Sequence, residues 1–282
     1  MPSLSQFALN ANIFAAGATD TGLRRQHNED CFLIDPETGL MVVADGMGGH
    51  EHGEVASAEA IRALREFLDQ TARGGAADDG TLTDVELKFA DETAARRGNS
   101  IVAAAGQLQD QVTAAVLRAN DAVYSINQSR GLPAERAMGT TLIGLVCSTL
   151  DPRNGVGFHV GDSRMYRLRK GELELLTRDQ TRHQKWLDEG SIGPEPPKNV
   201  VLNGVGPQPH LRPTTFLPSL RRGDRYLLCS DGLSDLVEAA EISEILQQAE
   251  LRRLEVTCQA LIDAANDRGG KDNITVIVAI HT

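Results

Sequence analysis

Short apolar runs that stop or start against an acidic residue are the feature that most constrains this chain's fold. Eight recur: Ile13–Ala18, Cys31–Ile34, Leu40–Ala44, Thr141–Cys147, Val156–Val160, Met165–Leu168, Tyr226–Cys229 and Ile274–Ile280. They are too short for buried helices and rich in β-branched residues, so they read as strands. Helical spacing is present as well. From Glu54 to Leu68, the residues Val55, Ala58, Ile61, Leu64, Phe67 and Leu68 share one face, as do Leu108, Val112, Val116, Ala119 and Val123 within Gln107–Ile126. Two more amphipathic helices are predicted over Glu241–Glu250 and Leu254–Ala265. Strands and helices on one chain of 282 residues, with no repeat and no clear boundary, predict a single mixed α/β (α+β) domain over residues 1–282.

Two stretches break the pattern. Residues 72–106 begin with the Gly-rich ARGGAADDG and continue alanine-rich and charged with weak periodicity, which reads as an irregular insertion. Ser191–Asn199 carries three prolines and reads as a surface excursion. It lies within a wider segment, 180–209, expected to be a mobile flap with few apolar anchors.

The acidic residues fall in one place relative to the strands. Asp45 follows LMVVA, Asp162 follows FHVG, and Asp231 follows YLLCS; Asp272 stands before NITVIVAI, and Glu29 and Asp30 stand before CFLI. A sheet can therefore deliver six carboxylates to one edge. Crowded carboxylates repel, and a cation is the natural resolution. Every candidate ligand is an oxygen, which selects Mg2+ or Mn2+ over zinc. Glycine after Asp45 and after Asp231 lets backbone approach closely. A single Asp-Gly at a strand end is more often just a turn; five strands doing the same is harder to dismiss.

Composition removes other classes. The net charge is -11 and the only dense basic spots are Arg-Arg pairs, so a nucleic-acid groove or an anionic membrane surface is not expected. Cys31, Cys147, Cys229 and Cys258 form no C-x-x-C pair, which argues against a zinc knuckle or a disulfide framework. No secretory leader and no membrane-spanning run is legible, so the expectation is a cytoplasmic monomer.

The ordered motifs TDTGLRRQHNEDCF, VVADGMGGHEHGEVAS, MGTTL, HVGDSRMYRLRKGELELLTRDQT, GDRYLLCSDGLSD and GGKDNITVIV cover nearly the whole chain. In this series the chain resembles the PPM family, the protein phosphatase 2C-like enzymes, in its bacterial form. The resemblance implies a central β-sandwich of two sheets flanked by helices on both faces. It implies a phosphoserine/phosphothreonine protein phosphatase in which two Mn2+ or Mg2+ ions activate a water for in-line attack. Asp45 would bridge the two ions. Asp231 and Asp272 would complete the first, Glu29 and the Gly46 carbonyl the second. Asp30 would orient water from behind, Arg25 would bind the phosphate, and Asp162 with Asp231 would hold a third, weaker ion. The implied partners are phosphorylated proteins, the targets of a serine/threonine kinase.

The chain departs from the family pattern at two points. Met47 stands where eukaryotic relatives carry a histidine that protonates the leaving group, which leaves His50 or a water of the metal site as candidates. Gln180 stands where relatives commonly carry histidine. A rival signal, C-x5-R at Cys147–Arg153, contains Pro152 and Asp151, which would deny a phosphate its amides and repel it. The HEH at His50–His52 lacks the spacing of a zinc helix. A scaffold without activity would be expected to have lost metal ligands, and none of the matched positions is lost.

Overall fold

The computed structural model describes residues 6–48, 52–73, 95–133, 136–148 and 154–282, with the backbone alone for 6 and 95–104. Two antiparallel sheets stack. The first runs β1 (Gln6–Ala8), β2 (Ile13–Asp20), β13 (Ile274–His281), β12 (Arg225–Cys229), β9 (Arg164–Arg169) and β10 (Glu172–Leu175). The second runs β11 (Thr214–Phe216), β8 (Gly155–Val160), β7 (Leu142–Cys147), β4 (Leu40–Ala44) and β3 (Cys31–Asp35). A two-stranded ribbon, β5 (Gly46–Met47) with β6 (Gly139–Thr140), sits beyond the end of β4.

Antiparallel strands usually alternate apolar and polar, yet these runs are apolar throughout, because both faces of each sheet are covered. Met41, Val43, Ile143, Leu145, Tyr226, Leu228, Ile277 and Ala279 meet in the space between the sheets. Their neighbours Leu40, Val42 and Ala44 turn outward beneath α1 (Gly53–Ala72) and α2 (Ala95–Ser129). On the opposite outer face Leu227, Cys229, Val276 and Val278 pack under α4 (Ala239–Gln247) and α5 (Leu254–Asp267). This is the expected sandwich with helices on both faces. Leu64 of α1 is wholly buried, so Leu64→Ala should cost about 2–5 kcal/mol.

All eight expected strands form, and the four expected helices do too, with shifted ends. The largest shift is in α2, which begins at Ala95, twelve residues before the apolar periodicity that announced it. Alanine-rich sequence favours helix by propensity without leaving a periodic stripe to read. Residues 74–94, the rest of the expected insertion, lie outside the described residues. Within the segment expected to be an irregular flap there is a short helix, α3 (Arg182–Asp188), whose first turn is capped by Thr181 Oγ1 accepting the Gln184 amide at 3.1 Å. The segment is also better anchored than its composition implied, since Val205 is fully buried and its backbone exchanges hydrogen bonds with Thr140.

Candidate metal centre

Strand register explains why the acidic residues converge. Cys31 pairs with Ala44, Val43 with Ile143 and Leu142 with Val160, so the start of β3 and the ends of β4 and β8 share one rim. In the other sheet Cys229 pairs with Val276 and Arg164, bringing the end of β12 and the start of β13 to the same rim. One cavity there, about 230 Å³, is lined by Arg25, Glu29, Asp45, Gly46, Asp162, Asp231 and Asp272 together. Asp30 stands behind it, buried.

Neutral side chains hold these carboxylates in place, and sequence reasoning assigned none of them a role. The Asp45 carbonyl accepts from Thr140 Oγ1 and from the Thr141 amide, both at 2.9 Å, while the Asp45 amide donates to Thr141 Oγ1 at 3.0 Å. The Thr-Thr of MGTTL thus fixes the backbone from which the Asp45 carboxylate projects. Ser230 Oγ donates to Asp30 Oδ2 at 2.8 Å and accepts the Thr275 amide at 2.9 Å. Asn273 accepts the Glu29 amide at 2.9 Å and donates to the carbonyls of Thr21 and His27, tying down the loop that carries Arg25 and Glu29. Ser230 and Asn273 were signalled by adjacency to Asp231 and Asp272 inside a motif, whereas Thr140 and Thr141 were signalled only by the MGTTL motif itself. The two Asp-Gly pairs answer to close packing: a Cβ on Gly46 would lie 2.3 Å from Gly53 O, and one on Gly232 would lie 1.9 Å from Asn273 O.

Burial and mutual repulsion push the carboxyl groups upward. Asp30 rises to about 7, mainly because it is desolvated. Asp162 rises to about 7 for the same reason, with Asp231 adding repulsion. Asp231 rises to about 6 by burial and by repulsion from Asp272 and Asp235, while a hydrogen bond with Asp45 pulls the other way. Asp45 is raised well above the carboxylate range, first by burial and then by Asp30, Asp231, Asp162 and Asp272. Glu29 is raised by burial. Among the described residues Arg25 alone supplies positive charge to the cavity lining, and its Nη2 lies 2.7 Å from Asp272 Oδ2. Its guanidinium is held in the charged form by that hydrogen bond first. Arg25 therefore lines the cavity with its guanidinium committed to one of the carboxylates.

A family model for protein phosphatase 2C matches residues 22–264. The chain belongs to the protein phosphatase 2C family. The serine/threonine protein phosphatase PstP of Mycobacterium tuberculosis is 37% identical over 270 residues, covering 94% of this chain and 44% of that protein. The chain thus spans less than half the length of PstP. The serine/threonine phosphatase stp of Listeria monocytogenes is 33% identical over 273 residues, 92% of each. A crystal structure of the PstP catalytic domain in complex with two manganese ions superposes with a TM-score of 0.73 at 34% identity, covering 95% of this chain and 98% of that one.

The residues of this protein phosphatase 2C member fit divalent cations on three counts. The donors are all oxygens, as hard cations require. Asp30 Oδ1 is buried with no hydrogen-bond partner, an orphaned acceptor of the kind an ordered water completes. The carboxyls are raised by burial first and by mutual repulsion second, and cations would offset both. Among the described residues no three acidic, cysteine or histidine groups meet at a single point; the carboxylates line the cavity walls instead. Met47 lines the cavity too, while His50 lies outside the described residues. The cysteine alternative fails on position: Cys147 is buried at the far end of β7, five residues or roughly 17 Å of strand from the cavity. Burial pushes its thiol up to about 12, away from the thiolate that mechanism needs. Among the described residues no helix is long and apolar enough to cross a membrane.

Proposed function

We propose that the chain is a metal-dependent phosphoserine/phosphothreonine protein phosphatase acting at a two-ion site. The observation that carries this is the single cavity shared by Glu29, Asp45, Gly46, Asp162, Asp231, Asp272 and Arg25. Asp45 would bridge the two ions, with Asp231 and Asp272 on one side and Glu29 and the Gly46 carbonyl on the other. Asp162 with Asp231 would take a third, weaker ion. Mn2+ or Mg2+ in these positions would supply Lewis-acid activation of water and neutralise charge on the phosphoryl oxygens.

The chain's own residues do the rest. Thr140 and Thr141 hold the Asp45 backbone so that the bridging carboxylate needs no reorganisation. Ser230 fixes one oxygen of Asp30 and leaves the other free to orient a water and hold its proton. Arg25, half exposed, is within the cavity lining and would exchange part of its contact with Asp272 for the phosphate. The substrates would be phosphorylated proteins, the products of a serine/threonine kinase. The acidic net charge, which disfavours anionic membrane surfaces, is the support for a chain that works as a monomer in the cytoplasm.

The test is hydrolysis of a phosphothreonine peptide and of p-nitrophenyl phosphate with Mn2+, with and without chelator. Activity should need the metal and survive thiol alkylation. Activity that persists in chelator and disappears in Cys147→Ser would replace this reading with the cysteine mechanism.

A further inference from the structure

Gln180 has no part in the reaction proposed above, yet it is among the most heavily bonded side chains near the cavity. Its Oε1 accepts the Gly161 amide at 2.9 Å and Asn203 Nδ2 at 2.7 Å, and its Nε2 donates to Thr214 Oγ1 at 3.1 Å. The backbone repeats the pattern: the Gln180 amide donates to Gly161 O, and the Leu202 amide donates to Gln180 O. One residue therefore fastens three separate pieces. These are the turn that carries Asp162, the edge strand β11, and the point where the chain returns after α3.

The stretch between leaves and returns at neighbouring points, since Thr181 bridges Val201. It places Asn199 and Val201 on the carboxylate cavity. With His183, Gln184 and Lys198 it also walls a second cavity of about 280 Å³, which shares Asp162, Asn199 and Asp231 with the first. Leu187, Ile192 and Leu202 are 44%, 82% and 52% exposed. Among the described residues none of the three joins a hydrophobic core cluster, and a protein seated over the second cavity, which Leu187 lines, would cover apolar surface there.

We propose that Gln180 is a positioning residue that keeps the 181–202 segment and the Asp162 turn in register, and thereby sets how phosphoprotein substrates are seated. The inference rests on the phosphatase reading of the cavity. The residue type matters because an amide provides two lone pairs and a donor at one end of one side chain, and all three are used. A neutral histidine offers one donor and one acceptor and would leave a partner unpaired. Glutamate can accept from Gly161 and Asn203 and take a third bond from the Thr214 hydroxyl turned to donate, so Gln180→Glu is the rescuing change.

Two measurements on wild type, Gln180→Ala and Gln180→Glu test this. In chelator, amide hydrogen exchange in Gln180→Ala should speed up together at 160–163 and 200–204, and return toward wild type in Gln180→Glu. With Mn2+, Gln180→Ala should raise KM for a phosphothreonine peptide about tenfold, with kcat and the p-nitrophenyl phosphate KM within about threefold. Faster exchange at only one of the two pieces, equal losses on both substrates, or no rescue by glutamate would overturn the proposal. Failure of wild type to hydrolyse either substrate with Mn2+ would refute the phosphatase reading and with it the role in seating substrates, while the exchange result still decides whether Gln180 couples the two pieces.

Discussion

The carboxylate rim and the 181–202 segment border the same cavity but are held by different means. Each carboxylate of the rim stands within two positions of a strand, buried along nearly its whole length in β4, β8, β12 and β13 and half-buried at the start of β3, and neutral hydroxyls and amides bond to its neighbours from within. The segment has a seven-residue helix with no buried side chain. Bonds at its two ends, through Gln180 and Thr181, and exposed pairs such as His183–Glu195 hold it. Moving the rim means opening the sandwich, whereas the segment can open locally at small cost. On the proposed function, this difference would give a rigid site for the reacting phosphate beside an adaptable border for the protein around it.

Asp45→Asn is the strongest way to break the rim. It should lower kcat/KM by more than the roughly 10- to 100-fold typical of losing a partner outside the coordination shell. Near-normal turnover by the purified variant would remove Asp45 from the centre of the site.

Metal and pH sharpen the contrast next. Asp30, Asp162 and Asp231 hold protons up to about 7, 7 and 6 in the folded chain, whereas an unfolded carboxyl releases its proton near about 4. The folded state therefore binds more protons across that window. Without metal, this contribution to stability is present on the acid side and is lost as pH rises through about 7. Mn2+ needs the deprotonated groups, so its stabilisation should grow over the same range, reaching about 2.7 kcal/mol at a hundredfold excess over Kd. Thermal melts with Mn2+ and with chelator from about pH 5 to pH 8 check this. A gap between the two curves that narrows with rising pH would contradict it.

Arg25→Ala should lower kcat/KM about ten- to a hundredfold, the worth of a charge-assisted contact to phosphate. Because Arg25 is bonded to Asp272, the same change should tighten Mn2+ binding, by about two- to fivefold for so exposed a pair. Isothermal titration reads the second effect, and weaker Mn2+ binding would mean that Arg25 supports the site instead of competing for it.

Ser230→Ala strips Asp30 Oδ2 and the Thr275 amide of their partner. Mn2+ affinity should fall roughly tenfold, with a loss of about 1–3 kcal/mol in melting experiments. The smallest effect belongs to the segment. Shortening it between Gly193 and Pro197 should leave p-nitrophenyl phosphate turnover within about threefold while changing rates on phosphoproteins more. Equal losses on both would make the segment part of the rim.

The sequence alone was enough to read eight of the thirteen described strands, most of the buried faces of α1 and α2 (Ala58, expected on the α1 face, is exposed), and acidic residues gathered at strand ends, because period and strand-end position are local facts. Residues such as Asp45 and Asp231 announce themselves by chemistry, being charges set against apolar runs. Contacts between distant parts of the chain decided the rest. Thr140 with Thr141, Ser230, Asn273 and Gln180 are ordinary polar residues whose roles arise from partners 95, 200, 244 and 23 positions away. Arg25 on Asp272 likewise joins positions 247 apart. No spacing rule reaches that far, since only the stacked sheets bring those positions within a hydrogen bond's length.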